Sequence, residues 1–113
     1  MSRIEALAQR QLDAYNASDL DHFAACYSEV VRVFEGEELL FEGREAFTAR
    51  YQSLFARFEF GAEVEARFVL GDHCVDRERW WRIDPDTKER SEGEILVYYG
   101  LEDDTIGLVR FMR

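Results

Sequence analysis

The segment from Ala62 to Arg113 constrains the fold more than any other, because it reads as strand upon strand with no helical period between. Alternating, β-branched and aromatic stretches at 62–70, 73–83, 90–100 and 105–112 are separated by turn residues at Gly71-Asp72, Asp84-Pro85-Asp86 and Asp103-Asp104. Long strands joined by tight turns make an antiparallel meander, and a sheet of that length must be covered on at least one face. The cover has to come from the first half of the chain. At 113 residues there is material for one core without disulfide or metal staples, so a single domain over 1–113 is expected.

The first half supplies three helices. Ser2-Arg3-Ile4-Glu5 is a capping box, and Ile4, Leu7, Ala8, Leu12 and Tyr15 follow it on one helical face, predicting a helix to about Asn16. A second box, Ser18-Asp19-Leu20-Asp21, opens a shorter helix with Leu20, Phe23, Ala24 and Tyr27 as its apolar positions. Val30 to Glu35 then alternates, and beyond an acidic Gly36 turn comes Leu39-Leu40-Phe41, which predicts a short strand pair. From Arg44 onward, Phe47, Tyr51, Leu54, Phe55 and Phe58 recur at helical spacing, a third helix with an aromatic stripe. The expected fold class is α+β, with the helices segregated to one face of a curved sheet.

The outer face of that sheet is also apolar. Ile95, Val97 and Tyr99 point one way and Leu96 and Tyr98 the other, while Leu108 and Met112 oppose Val109 and Phe111. Only one set can meet the helices, so a homodimer through the other is expected. Charge narrows the remaining partners. A net charge of −10 repels phosphate backbones and anionic headgroups, which argues against nucleic acid and membrane surfaces. No apolar run approaches bilayer length, and Met1 to Glu5 lacks a signal peptide's apolar core, so a cytoplasmic protein is expected. Cys26 and Cys74 have no close spacing and no grouped histidine, which reads as two reduced, buried thiols and no metal site. Glycine-rich phosphate loops and Ser-His-Asp orders are missing, so neither a nucleotide nor any other cofactor is expected.

The order α-α-β-β-α-β-β-β-β carries a resemblance. Tyr15-Asn16-Ala17-Ser18-Asp19-Leu20-Asp21 leads into Phe23 and then Tyr27-Ser28-Glu29-Val30-Val31-Arg32-Val33; Phe41-Glu42-Gly43-Arg44-Glu45-Ala46 opens the third helix, and Leu101 to Ile106 forms the last hairpin. Taken together, these stretches resemble the nuclear transport factor 2-like superfamily in its SnoaL-like, ketosteroid-isomerase-like branch. The resemblance spans essentially the whole chain and implies a cone-shaped, antiparallel or mixed sheet wrapped around three helices, a cystatin-like α+β roll. It also implies a deep apolar pocket, commonly in a homodimer, in a superfamily that includes isomerases, cyclases, dehydratases and epoxide hydrolases.

Candidate chemistry centres on Glu35. If Val31 and Val33 face the core, strand alternation gives Glu35 the same direction, and apolar walls beside a carboxyl raise its pKa and make it a candidate base; the alternative is a solvated residue at a strand end, before the acidic Gly36-Glu37-Glu38 turn. The resemblance implies the same role, since Glu35 falls where ketosteroid-isomerase-like proteins keep their carboxylate base. Gln11 matches the position of the isomerases' oxyanion-donating tyrosine, and Tyr15 lies one turn further along, so both are candidate hydrogen-bond donors. The isomerases' second donor, a protonated acid, falls here on Leu96 or Val97, and neither can donate. Phe34, Tyr51, Phe55, Phe58, Trp80, Trp81, Tyr99, Val109 and Phe111 are the expected pocket lining.

On 74–82 the two faces alternate: Cys74, Asp76, Glu78, Trp80 and Arg82 against Val75, Arg77, Arg79 and Trp81. Its charges read either as cross-strand ion pairs on a half-exposed strand or, through the resemblance, as a carboxylate-arginine set of the kind superfamily epoxide hydrolases use. His22 in a helix's first turn and His73 at a hairpin put no histidine in the pocket. Two function classes follow: a cofactor-free isomerase or lyase moving a proton on a small apolar carbonyl or hydroxy compound, and a noncatalytic apolar-ligand-binding or dimerisation module.

Overall fold

The computed structural model describes residues 2–113, so Met1 of the expected 1–113 domain lies outside the described residues. The elements are α1 (Arg3–Asn16), α2 (Leu20–Ala25), β1 (Tyr27–Glu35), β2 (Glu38–Glu42), α3 (Arg44–Arg57), β3 (Glu59–Leu70), β4 (His73–Ile83), β5 (Arg90–Glu102) and β6 (Thr105–Met112). One six-stranded sheet in the order β2-β1-β6-β5-β4-β3 carries all the strands. The last four form the expected antiparallel meander, and the sheet becomes mixed only where β1 runs parallel to β6. This is an α+β fold with helices on one face of an open, curved sheet.

Local chemistry sets the ends of the elements. Ser2 caps α1 by accepting from the Glu5 amide at 3.2 Å. The second cap differs from the expected box: Asp19, not Ser18, accepts from the His22 amide, and Ser18 sits in the left-handed region at φ 54°. Consequently α2 is shorter than its apolar spacing predicts, and Tyr27 opens β1 instead of closing the helix. Gly43, at φ 94°, starts α3 from a backbone conformation that a side chain would strain.

Beyond the helix hairpin, Asn16 fastens α1 to β3. Its Nδ2 donates to the Ala62 carbonyl at 2.9 Å while its Oδ1 accepts from the Ala62 amide at 2.8 Å, so one side chain replaces a neighbouring strand at the sheet edge. The core lies between helices and sheet. Ile4, Leu7 and Ala8 of α1 meet Val31 and Val33 of β1, Val97 of β5 and Ile106 of β6, all almost wholly buried. Phe23 holds this layer to α3: its ring stacks on Phe47 at 5.4 Å and meets Tyr51 edge-on at 5.0 Å. Cys26 and Cys74 are free, buried thiols.

Candidate functional site

Between the helices and the concave face of the sheet opens a cavity of about 470 Å³, within the range typical of small-molecule sites. Gln11, Leu12 and Tyr15 of α1, Phe23 of α2, and Phe47, Arg50, Tyr51 and Leu54 of α3 line it from the helical side. From the sheet come Tyr27 and Glu35 of β1, Leu40 of β2, Glu78, Trp80 and Arg82 of β4, Ile95 and Tyr99 of β5, and Val109 and Phe111 of β6, with Arg113 beyond.

Glu35 does share the inward direction of Val31 and Val33, yet it stands at the cavity's mouth. Its side chain is 44% exposed, and Arg113 Nε donates to Oε1 at 2.6 Å, so water and a guanidinium surround this carboxyl where apolar walls were expected. Gln11 is buried and fully engaged. Its Nε2 donates to the Ala8 carbonyl at 3.0 Å and to the Tyr99 hydroxyl at 3.1 Å, while Oε1 accepts from the Tyr27 hydroxyl at 2.8 Å. Both amide protons are therefore spent inside the protein, and Gln11 has none left for a ligand. It acts on the hydroxyls instead: Tyr27 directs its proton into Gln11, and Tyr99, accepting from Gln11, keeps its own proton to donate elsewhere.

The carboxyl inside the cavity is Glu78. Burial and, secondarily, the nearby Asp76 charge push its pKa from 4.5 up to about 7. No basic group stands within ion-pair distance of it among the described residues, which leaves the burial penalty uncompensated. Four phenols face the same space. Burial first, and the Glu78 charge among the further causes, raises Tyr15 to about 12 and pushes Tyr27, Tyr51 and Tyr99 upward as well. These hydroxyls keep their protons at any physiological pH, so they can donate hydrogen bonds, and Glu78 can exchange a proton near neutrality.

Two residues further along the same face, Trp80 forms a wall because Gly93, its partner on β5, has no side chain. A Cβ there would come 2.8 Å from the indole. Arg82, next on this face, lies between Trp80 and Phe58, its guanidinium carbon 5.5 Å and 5.6 Å from the two ring centres. Its buried Nε has no hydrogen-bond partner among the described residues.

Several expected lining residues lie elsewhere. Phe34 points out of the opposite face, where Arg110 sits 4.6 Å above its ring, as alternation with Glu35 requires. Phe55 is spent on packing against Tyr15, Phe23 and Phe60. Phe58 falls past the end of α3, in extended backbone at φ −101° and ψ 149°, so it leaves the helical stripe and stands behind Arg82. Trp81 turns outward over Gly61, with Arg90 5.0 Å from its ring centre. Tyr15, Tyr51, Trp80, Tyr99, Val109 and Phe111 do line the cavity. His22 is exposed and bonded to Asp19, and His73 bonds the Tyr98 hydroxyl, also away from the cavity. Among the described residues no group of three His, Cys, Asp or Glu side chains is placed to hold a metal ion.

Comparison with known proteins agrees with this architecture. A cystatin-fold protein of Novosphingobium aromaticivorans superposes with a TM-score of 0.89 at 25% identity, covering 100% of this chain and 99% of the other. A computationally designed 17-OHP binder matches at a TM-score of 0.87 and 17% identity, over 98% and 92%. An LEH-like epoxide hydrolase of M. tuberculosis matches at 0.85 and 14%, over 97% and 81%. No curated protein matches the chain. The SnoaL-like domain model matches residues 8–107, and with that span of the sequence accounted for, the chain belongs to the SnoaL-like domain family.

Proposed function

We propose that the cavity is a proton-transfer site that needs no cofactor, an isomerase or lyase site in which Glu78, and not Glu35, is the acid–base group. One observation carries the reading: a carboxyl enclosed among phenols, without an ion-pair partner, whose pKa is pushed up to about 7. Such a group is half ionised at neutral pH, which suits it to take a proton and return it. With a small carbonyl compound, Glu78 breaks a C–H bond beside the carbonyl and takes the proton, and the electron pair moves onto the carbonyl oxygen. Tyr99, whose proton Gln11 leaves free, and Tyr15 donate to that oxygen as charge develops on it. Return of the proton to another carbon completes an isomerisation. Its delivery to a departing hydroxyl, which leaves as water, completes an elimination.

Carbon-13 NMR titration of the side-chain carboxyls tests the assignment. Expected is a midpoint near 7 that disappears in Glu78→Gln. A Glu78 midpoint near 4.5 would overturn the proton-transfer reading and favour the noncatalytic one, a pocket that only holds a ligand, as the designed 17-OHP binder does on this fold.

The same reading includes assembly as a homodimer through the outer sheet face. Leu96 is 44% exposed there, and Tyr98, Leu108 and Met112 share its direction on β5 and β6. Equilibrium sedimentation at micromolar concentration is expected to give a species of twice 13.3 kDa, and a clean 13.3 kDa species overturns the dimer.

A further inference from the structure

We infer that the ligand of this cavity is a monoanion, an apolar ring system ending in a carboxylate that Arg82 receives. The inference rests on the proton-transfer reading only for what happens at the other end of the ligand.

The charge lining the cavity opposes the charge of the protein. Three arginines, Arg50, Arg82 and Arg113, face two carboxyls, Glu35 and Glu78, in a chain whose net charge is −10. Arg113 and Glu35 neutralise each other at the mouth. Neither Arg50 nor Arg82 has a carboxylate within 4.0 Å among the described residues, and Glu78 holds its proton for much of the time at neutral pH. The cavity is therefore cationic within an acidic molecule, an arrangement that draws an anion out of solution and toward this one place.

Arg82 is the group built to receive it. Trp80 and Phe58 flank the guanidinium and the Tyr15 hydroxyl lies within its hydrogen-bonding reach, which leaves the Nε–H side for an incoming acceptor. Its Nε is shielded from water and lacks a protein partner, a donor whose burial is uncompensated until an acceptor arrives. A carboxylate meets that requirement with two parallel hydrogen bonds. A dianion would call for a second buried cation, and Arg50, exposed at the helical side with its guanidinium 5.3 Å from the Phe41 ring centre, is not one. Three residues of β4 separate Arg82 from Glu78, four steps or roughly 13 Å along the backbone at the strand's rise. Between them stand Trp80 and the aromatic wall of α2 and α3, so the space between the charged end and the reacting end suits rings.

Calorimetric titration of the whole chain with 2-naphthoate and with its uncharged isostere 2-naphthamide tests the inference. The carboxylate is expected to bind wild type at least about tenfold more tightly than the amide, the gain of a charge-assisted hydrogen-bonded pair. In Arg82→Gln that preference is expected to vanish, the carboxylate losing far more affinity than the amide. In Arg82→Lys, which keeps the charge and loses the fork, part of it is expected to remain. Equal affinities in wild type, a preference that survives in both variants, or no naphthoate binding at millimolar concentration would overturn the inference. Failure of the two readings is distinguishable: a naphthoate preference with Glu78 titrating near 4.5 leaves the anion site and removes proton transfer, and the reverse pair of results does the opposite.

Discussion

On the outward face of β4, Arg77 reaches Glu94 at 2.9 Å and Arg79 reaches Glu65 at 3.7 Å, both pairs open to solvent. On the inward face the same strand carries Asp76, Glu78 and Arg82, and none of these charges is solvated in that way. Asp76 is wholly buried, and Arg67 holds both its oxygens, at 2.7 Å and 3.0 Å. Glu78 has no such partner, and its ionised form is penalised. Alternation thus gives one strand two kinds of electrostatics from nearly the same residues. Outside, water screens each charge, and pairing changes little. Inside, each charge must be matched, protonated or left for a ligand, and the three inward residues take those three courses in turn.

Breaking the inward pair should give the largest effect of any change on this strand. Asp76→Asn removes the charge facing Arg67, whose side chain is only 14% exposed, and leaves a buried guanidinium half satisfied. A loss of about 3–5 kcal/mol is expected in urea unfolding. Replacing both members by apolar residues, Asp76→Leu with Arg67→Met, should recover most of it, because the penalty lies in the orphaned charge. If the double variant is no better than Asp76→Asn, the pair is a favourable interaction in its own right, and the contrast between the two faces weakens.

Glu78 comes next, and its effect depends on pH. Its carboxyl titrates near 7 in the folded chain against 4.5 when exposed, so between those values the native state keeps a proton that the unfolded chain has released. The contribution of this group to stability therefore falls as pH rises from about 4.5 to about 7, and above that the full penalty, about 3–4 kcal/mol, is present. Glu78→Gln removes it. The variant should match wild type below pH 4.5 and exceed it by that amount above pH 7, read as the difference between two melting curves across pH. A difference that does not vary with pH would show that Glu78 is solvated like its outward neighbours.

How much of this was legible in the sequence differs between backbone and site. Caps, periodicity and turn residues place α1, α3 and the meander within a few residues, since each depends on interactions local in the chain. Tyr27 was misplaced because an aromatic residue one turn beyond Phe23 fits a helical stripe as well as a strand's first inward position. Phe58 was misplaced because spacing shows where a stripe would continue and not where the helix stops. The inward face of β4 was harder still, since both of its faces carry charges and one tryptophan. The signal that resolves it lies in the β4–β5 hairpin. The 84–89 turn pairs Ile83 with Arg90, which sets Glu78 opposite Ile95 and Asp76 opposite Val97, and those apolar partners already mark the core side. The Arg67–Asp76 bridge lies within the β3–β4 hairpin but depends on a register interrupted between Val64 and Ala66, and the phenols around Glu78 come from α1, β1, α3 and β5, so both needed the tertiary structure.

The smallest effect belongs to the outward pairs, and its smallness is what the comparison requires. Glu94 is held below the usual carboxylate range first by the hydrogen bond from Arg77, so on a reading of contacts alone it resembles the Arg67–Asp76 bridge. Exposure makes the difference. When Glu94→Gln removes the carboxylate, water replaces it around Arg77, and neither partner is left unsatisfied. The depressed pKa implies a contribution present at neutral pH and lost as pH falls through the carboxylate range, and salt should screen it. Thermal melts of Glu94→Gln are therefore expected to overlay wild type at physiological ionic strength and to separate slightly only at low salt. A large loss, independent of salt, would mean that this face is not in water. The outer surface of β4 would then have to lie inside the proposed dimer contact together with Leu96, which neighbours Arg77 on the same face.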